Sequence, residues 1–149
     1  MKNKDILVRP MKEEDIPEVM EIEKSLPGQH WTQQGFADSL HDPQAVFFTA
    51  LDGGRIAGYA GGTFAADEGE ILNVAVDAGL RGQGMGLALV KELIGALTDH
   101  GAENIFLEVR EGNTAAQQLY EKCGFIRVGA RRRFYRDPIE DAWIMKRGN

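Results

Sequence analysis

The sequence predicts an α/β domain in which helices flank a mixed, mostly antiparallel β-sheet. Apolar residues recur at helical spacing in some stretches and collect into short strand-like runs between them. Two such runs flank Asp52-Gly53-Gly54, a hairpin signal that makes the neighbouring strands antiparallel. A glycine-rich stretch, residues 79–86, separates another strand-like run from the longest helical stripe. The 149 residues suit one domain spanning 1–149, since single domains commonly hold ~100–150 residues.

Ile6-Leu7-Val8 reads as a strand that ends at Pro10. Ile16, Val19, Ile22 and Leu26 then recur at helical spacing, and Pro17 falls near the start, where its missing N–H is tolerated. Pro27-Gly28 stops that helix. Residues 31–40 form a second helix with Thr32 as its N-cap. Strands follow at 45–51, 55–63 and 70–76, and the last of them runs into the glycines. From about Gly84 to His100, Leu87, Val90, Ile94 and Leu97 make a helical stripe, with Gly101 placed for a left-handed cap. Residues 104–109 are a strand. Residues 113–123 are a helix capped by Asn113, with Ala116, Leu119, Tyr120 and Cys123 on one face and Gly124 past its end. Two final strands, 126–135 and 140–146, flank Arg136-Asp137-Pro138. The element order is β-α-α-β-β-β-α-β-α-β-β.

Hydrophobic residues make up 43% of the chain and charged residues 27%, ordinary for a globular domain and unlike a disordered one. Cys123 is the only cysteine, which excludes an intramolecular disulfide and a Cys-rich metal site. His30, His41 and His100 have no ligand spacing, so no metal is assigned. No apolar run approaches the ~20 residues that span a bilayer. Met1 to Asp5 lead into a strand-like run rather than a leader's apolar stretch. The expectation is a cytoplasmic protein with no membrane partner. A net charge of −6 argues against specific nucleic-acid binding. Acidic residues crowd positions 13–23, and Arg131, Arg132, Arg133 and Arg136 cluster late; such runs read first as solvated faces. The role of Arg131 to Arg133 stays open.

The glycine-rich stretch is where an anion would bind. The first turn of a helix has unpaired N–H groups and partial positive charge, and glycines let a pyrophosphate approach the backbone. The spacing is neither G-x-x-x-x-G-K-[ST] nor G-x-G-x-x-G, so neither a P-loop nor a dinucleotide fingerprint is present. Arg81-x-x-Gly84-x-Gly86 resembles the [QR]-x-x-G-x-[GA] signature of the GNAT superfamily of N-acetyltransferases. More narrowly, Trp31-Thr32, Phe36, Leu40, Asn73-Val74-Ala75-Val76, Leu107-Glu108-Val109-Arg110, Asn113, Leu119-Tyr120-Glu121-Lys122-Cys123-Gly124-Phe125 and Tyr135 through Glu140-Asp141-Ala142-Trp143-Ile144-Met145 resemble the ribosomal-protein-alanine N-acetyltransferases of the RimI type. Gly82 departs from that pattern, which often has a basic residue there.

The resemblance implies a GNAT-like sheet whose splayed strand pair binds acetyl-CoA. Val74, Ala75 and Val76 would contact the pantetheine arm, while Arg81, Gly82, Gln83, Gly84, Met85, Gly86 and Leu87 would hold the pyrophosphate. Asn113 would be a further cofactor contact as well as a cap. On strand alternation alone, the Glu108 carboxylate points away from Leu107 and Val109, which suits a base or a solvated edge carboxylate. Tyr120, by spacing alone, reads as a core tyrosine. The resemblance implies that Glu108 accepts the acceptor's proton and that Tyr120 protonates the coenzyme A thiolate. Cys123 on the helical stripe reads as a small core residue rather than a nucleophile. The expected function is direct acetyl transfer from acetyl-CoA to a protein N-terminus, with a ribosomal protein as the implied partner. A small amine is the alternative acceptor, and a non-catalytic coenzyme A-binding module is the competing class.

Overall fold

A computed structural model describes residues 6–28 and 30–148. Its strands are β1 (Ile6–Pro10), β2 (Ala45–Asp52), β3 (Arg55–Ala65), β4 (Glu68–Val76), β5 (Asn104–Arg110), β6 (Ile126–Tyr135) and β7 (Glu140–Gly148). They form one sheet in the order β1-β2-β3-β4-β5-β7-β6, antiparallel throughout except for β4 and β5. The helices are α1 (Ile16–Lys24), α2 (Gln33–Leu40), α3 (Met85–Asp99) and α4 (Thr114–Lys122). The expected order of elements is observed, with short 3-10 turns added at Glu13–Asp15 and Ala78–Leu80. The expectation about the start of the chain concerns residues 1–5, which lie outside the described residues. Among the described residues no helix is long and apolar enough to cross a membrane.

Local chemistry explains most boundaries. Asp52 pairs with Arg55, so Gly53 and Gly54 make a two-residue turn with φ of 59° and 86°, the left-handed pair that a type I′ hairpin requires. The next hairpin joins Ala65 to Glu68 through Ala66 (φ 53°) and Asp67. It contains no glycine to mark it in the sequence, and its two strands run past the expected limits of 63 and 70. Helix α1 stops at Lys24, before Leu26, and the Ser25 hydroxyl donates to Ile22 O at 2.6 Å. Helix α2 begins as expected, with Thr32 Oγ1 accepting from the Gly35 N–H at 2.9 Å.

The sheet is covered on both faces. Helices α1 and α2 pack Ile16, Val19, Ile22 and Phe36 onto Phe47, Ile56 and Tyr59. Helix α3 buries Leu89, Leu93 and Leu97 against the opposite face, together with Ile105, Leu107, Val109 and Phe125. Each fully buried leucine of that kind contributes roughly 1.5–3 kcal/mol. Glu23, 4% exposed, accepts from the Trp31 N–H at 2.9 Å and from the Tyr59 hydroxyl. This satisfied buried carboxylate ties the α1–α2 connection to β3.

The site depends on one irregularity. Strand β4 pairs with β5 only where Glu68 to Glu70 stand opposite Asn104 to Phe106. Just beyond, Ile71 pairs with Gly62 but Asn73 pairs with Gly61, so Leu72 is bulged out. A bulge bends its strand and shifts its side-chain alternation. Ile71 accordingly packs with the α3 layer, Ala75 with the α1/α2 layer, and Val74 and Val76 with α3 again. Among the described residues, β4 pairs only with β3 from Ile71 to Val76, and its edge toward β5 carries no ladder there.

Candidate active site

The glycine-rich turn closes the end of β4. Arg81 is extended, and its Nε donates back to Val76 O at 3.2 Å. Gly82 and Gly84 take φ of 83° and 85°, the left-handed region where a Cβ is disfavoured. A Cβ at Gly82 would meet nothing within 4 Å, so that side of the turn is open. Gly84 is the N-cap of α3 and offers no side-chain cap, which leaves the N–H groups of Met85, Gly86 and Leu87 for a ligand or water. No carboxylate among the described residues pairs with Arg81. Val74, Ala75 and Val76 supply the unpaired edge of β4 beside this turn.

These features fit a pyrophosphate joined to an extended amide-bearing arm. The uncapped helix end, the open glycines and an unpaired cation suit the phosphates, while the bare strand edge suits the arm's amides. Asn73, at the bulge, adds a buried amide whose Nδ2 and Oδ1 have no partner among the described residues. Such orphaned groups call for a ligand or water. Asn113 caps α4, with its Oδ1 accepting from the Ala116 N–H at 3.1 Å, so its amide nitrogen stays available for a second contact.

Strand β5 alternates as expected. Ile105, Leu107 and Val109 are buried beneath α3 and α4, while Phe106, Glu108 and Arg110 face the other side. Glu108 opens onto a trough of about 530 Å³ whose walls include Asp42, Glu68, Glu70, Phe106, Arg131 and Ile144. Its Oε2 accepts from Arg131 Nε at 3.1 Å. Burial pushes the Glu70 carboxyl above its ordinary range; the Glu108 charge adds to this and Arg131 opposes it. The trough is therefore acidic and suited to a cationic ligand.

Tyr120 lies on the inner face of α4, 8% exposed, in an edge-on contact with Phe125 at 5.9 Å. Burial pushes its hydroxyl well above the usual range, with Tyr135 and Cys123 adding to the effect. It therefore stays protonated at neutral pH. Burial likewise raises the Cys123 thiol, which disfavours the thiolate that covalent catalysis would need. His30 bonds Leu26 O, His41 bonds Glu13, and His100 stacks on Phe64, all apart from Glu108.

Pattern reading missed several residues that build this region. Arg110 Nη1 donates to Pro138 O at 3.0 Å and to Glu140 Oε1 at 3.1 Å, and Nη2 donates to Arg136 O at 2.9 Å. Its guanidinium also lies 4.5 Å from the centre of the Tyr135 ring. Arg110 thus fastens the β6–β7 turn beside the trough. Burial pushes the Tyr135 hydroxyl up to about 12, with Glu108 adding, Arg110 opposing and Glu140 adding. The available signal was Arg110 itself, two residues after Glu108 and so on its face of β5.

Residues 14–125 match the acetyltransferase (GNAT) family. A relative from Escherichia coli (strain K12), named ribosomal protein bS18-alanine N-acetyltransferase, is 35% identical over 88% of this chain and 89% of its own length. Another, from Mycobacterium tuberculosis, is named N-alpha-acetyltransferase RimI and is 38% identical over 78% of this chain and 75% of its own. The crystal structure of the ribosomal-protein-S18-alanine N-acetyltransferase from Escherichia coli superposes with a TM-score of 0.86 at 33% identity, covering 95% of this chain and 92% of that one.

Proposed function

The chain belongs to the acetyltransferase (GNAT) family and is an N-acetyltransferase; from that premise we propose that it acts as one catalytic unit, using acetyl-CoA to acetylate a protein's N-terminal α-amine. The observation that carries this reading is the end of the β4–β5 ladder at Glu70 and Phe106, with Glu108 next along β5 in an acidic trough. Val74 to Val76 and the turn from Arg81 to Leu87 hold acetyl-CoA, with Asn113 as a further contact. The relatives named above for ribosomal protein bS18 support an alanine-starting ribosomal N-terminus as the acceptor, and a reaction on that acceptor would take place in the cytoplasm.

Acetyl-CoA supplies the acetyl group as a thioester; a C–N bond to the amine forms as the C–S bond breaks. Glu108 takes a proton from the acceptor ammonium, directly or through water. Tyr120 donates toward the departing sulfur. The reference pKa of a thiol is ~8.5 and that of tyrosine ~10, and burial raises Tyr120 further, so complete transfer is uphill. Its contribution is a hydrogen bond that strengthens as negative charge builds on sulfur.

The α-amine is the easier acceptor. Its reference pKa is ~7.7–8.0 against ~10.4 for lysine, so exposing the neutral nucleophile at pH 7 costs roughly 3 kcal/mol less. One carboxylate suffices for that task. The test is tandem mass spectrometry of alanine-starting peptides, each with an internal lysine, after incubation with enzyme and acetyl-CoA. Label on the α-amine is expected. Label confined to lysine would contradict the reading, and no label on any peptide, with turnover of small amines, would replace it with small-amine acetylation.

A further inference from the structure

We propose that Arg131 is a positioning residue for the transfer reaction, anchoring one oxygen of Glu108 so that the other is presented to the acceptor. This rests on the reading of Glu108 as the proton acceptor. Arg131 Nε donates to Oε2 at 3.1 Å, and among the described residues no other hydrogen bond reaches that carboxylate. Oε1 is left for a proton or a water.

Strand β6 takes an irregular course to place Arg131 there. Arg131 stands opposite Ala142 and Tyr135 opposite Glu140, so the two positions are four residues apart on β6 and two apart on β7. The excess is absorbed around Arg133, which has φ 52° and whose N–H donates to Asp141 Oδ1 at 2.8 Å. Arg131 and Tyr135 therefore stay in register with Ala142 and Glu140, on the face that carries Ile144 opposite Glu108. Upstream, Arg127 stands opposite Met145 and Gly129 opposite Ile144, so Val128 is one extra residue, and this bulge shifts the alternation that brings Arg131 onto that face.

Stability does not account for the pair. Arg131 is 57% exposed at its side chain, and ion pairs so open to solvent contribute only ~0–1 kcal/mol. Charge balance in the trough does account for it. Glu70 from β4 and Glu108 from β5 confront each other there, and two carboxylates sharing a site resist simultaneous ionisation. Glu68 and Asp42 add negative charge at the walls. On the same face, Arg110 is committed to Glu140 and the β6–β7 turn, Tyr135 is neutral, and Lys146 stands opposite Phe106. Arg131 is the cation in contact with Glu108. Without it, the Glu108 carboxylate would lose both its countercharge and its anchor.

The test is the pH profile of kcat at saturating acetyl-CoA and alanine-starting peptide, paired with a carboxyl carbon NMR titration of Glu108. Wild type is compared with Arg131→Ala, Arg131→Lys, Arg131→Ala/Glu70→Gln and Glu108→Gln. In Arg131→Ala the Glu108 midpoint and the acidic limb of kcat should both move upward by about half a pH unit, within the ~1 kcal/mol that so open a pair contributes. Lysine should restore part of the shift, and Glu70→Gln should reverse part of it by removing the competing carboxylate. A merely structural role would lower kcat without moving either. An unmoved midpoint and limb in Arg131→Ala, with Glu108→Gln inactive, would overturn the role of Arg131 alone. If Glu108→Gln kept the wild-type profile, the reading of Glu108 would fall first.

Discussion

Glu108 and Tyr120 sit on opposite faces of the sheet, one in an acidic trough bordered by Asp42 and Gln44 after α2 and the other beneath α4 among apolar side chains. Their surroundings match opposite tasks. A carboxylate facing a polar trough can receive a proton, and a buried tyrosine keeps its own until charge develops next to it. Glu108→Gln should therefore lower kcat by ~10²–10⁴-fold, the usual range for a positioned proton-transfer group, and Tyr120→Phe by ~10²–10³-fold, the range for one lost hydrogen-bond donor to developing charge. Acetyl-CoA affinity, measured by titration calorimetry, should stay at the wild-type value in both. Wild-type turnover in either variant would remove that residue from the mechanism. The alternation of β5 made Glu108 legible from sequence, because Leu107 and Val109 had to face a core. Arg110 and Tyr135 stood among the residues of the resemblance and Arg131 in the arginine cluster, but their contacts were not legible, because their partners lie 23–30 residues away in sequence or across a bulge that no local signal announces.

At the scale of elements, the turn before α3 and the bulge in β4 do complementary jobs. Gly82 and Gly84 turn the chain through left-handed backbone and leave the first turn of α3 uncapped. The bulge at Leu72 ends the β4–β5 pairing and frees a strand edge. Gly84→Val should weaken acetyl-CoA binding at least tenfold, since a branched side chain would both strain the φ of 85° and stand between backbone and phosphate. Because strain could also loosen the helix, Arg81→Ala provides the second arm. Among the described residues Arg81 has no carboxylate partner, so its loss should weaken binding while leaving the melting temperature near wild type. Calorimetry with thermal melts checks both, and unchanged affinity in both variants would detach the turn from the cofactor. The glycine turn was legible because glycine is its only economical solution. The Ala66-Asp67 hairpin was not, since Ala66 adopts φ 53° without glycine and composition offers no warning of that.

Across the whole molecule, two separate cores grip the sheet from its two faces, and the reactive region lies where pairing between β4 and β5 stops. The α1/α2 layer covers the early strands but leaves the pocket-lining face of β5, β7 and β6 open, and Glu108 looks out there. The opposite layer supplies the α3 N-terminus and Tyr120. Acetyl donor and acceptor would thus meet through the opening in the sheet, each held by a different layer. The order of elements and the glycine turn could be read in advance because each rests on local periodicity or backbone chemistry. The parting of β4 from β5 followed only from the family resemblance, since it depends on register between distant strands. Hydrogen exchange with and without saturating acetyl-CoA tests this arrangement most directly. Slowed exchange confined to the amides of Asn73 to Val76 and to the turn from Gly82 to Leu87 is the result expected. Protection elsewhere with none at those amides would contradict it.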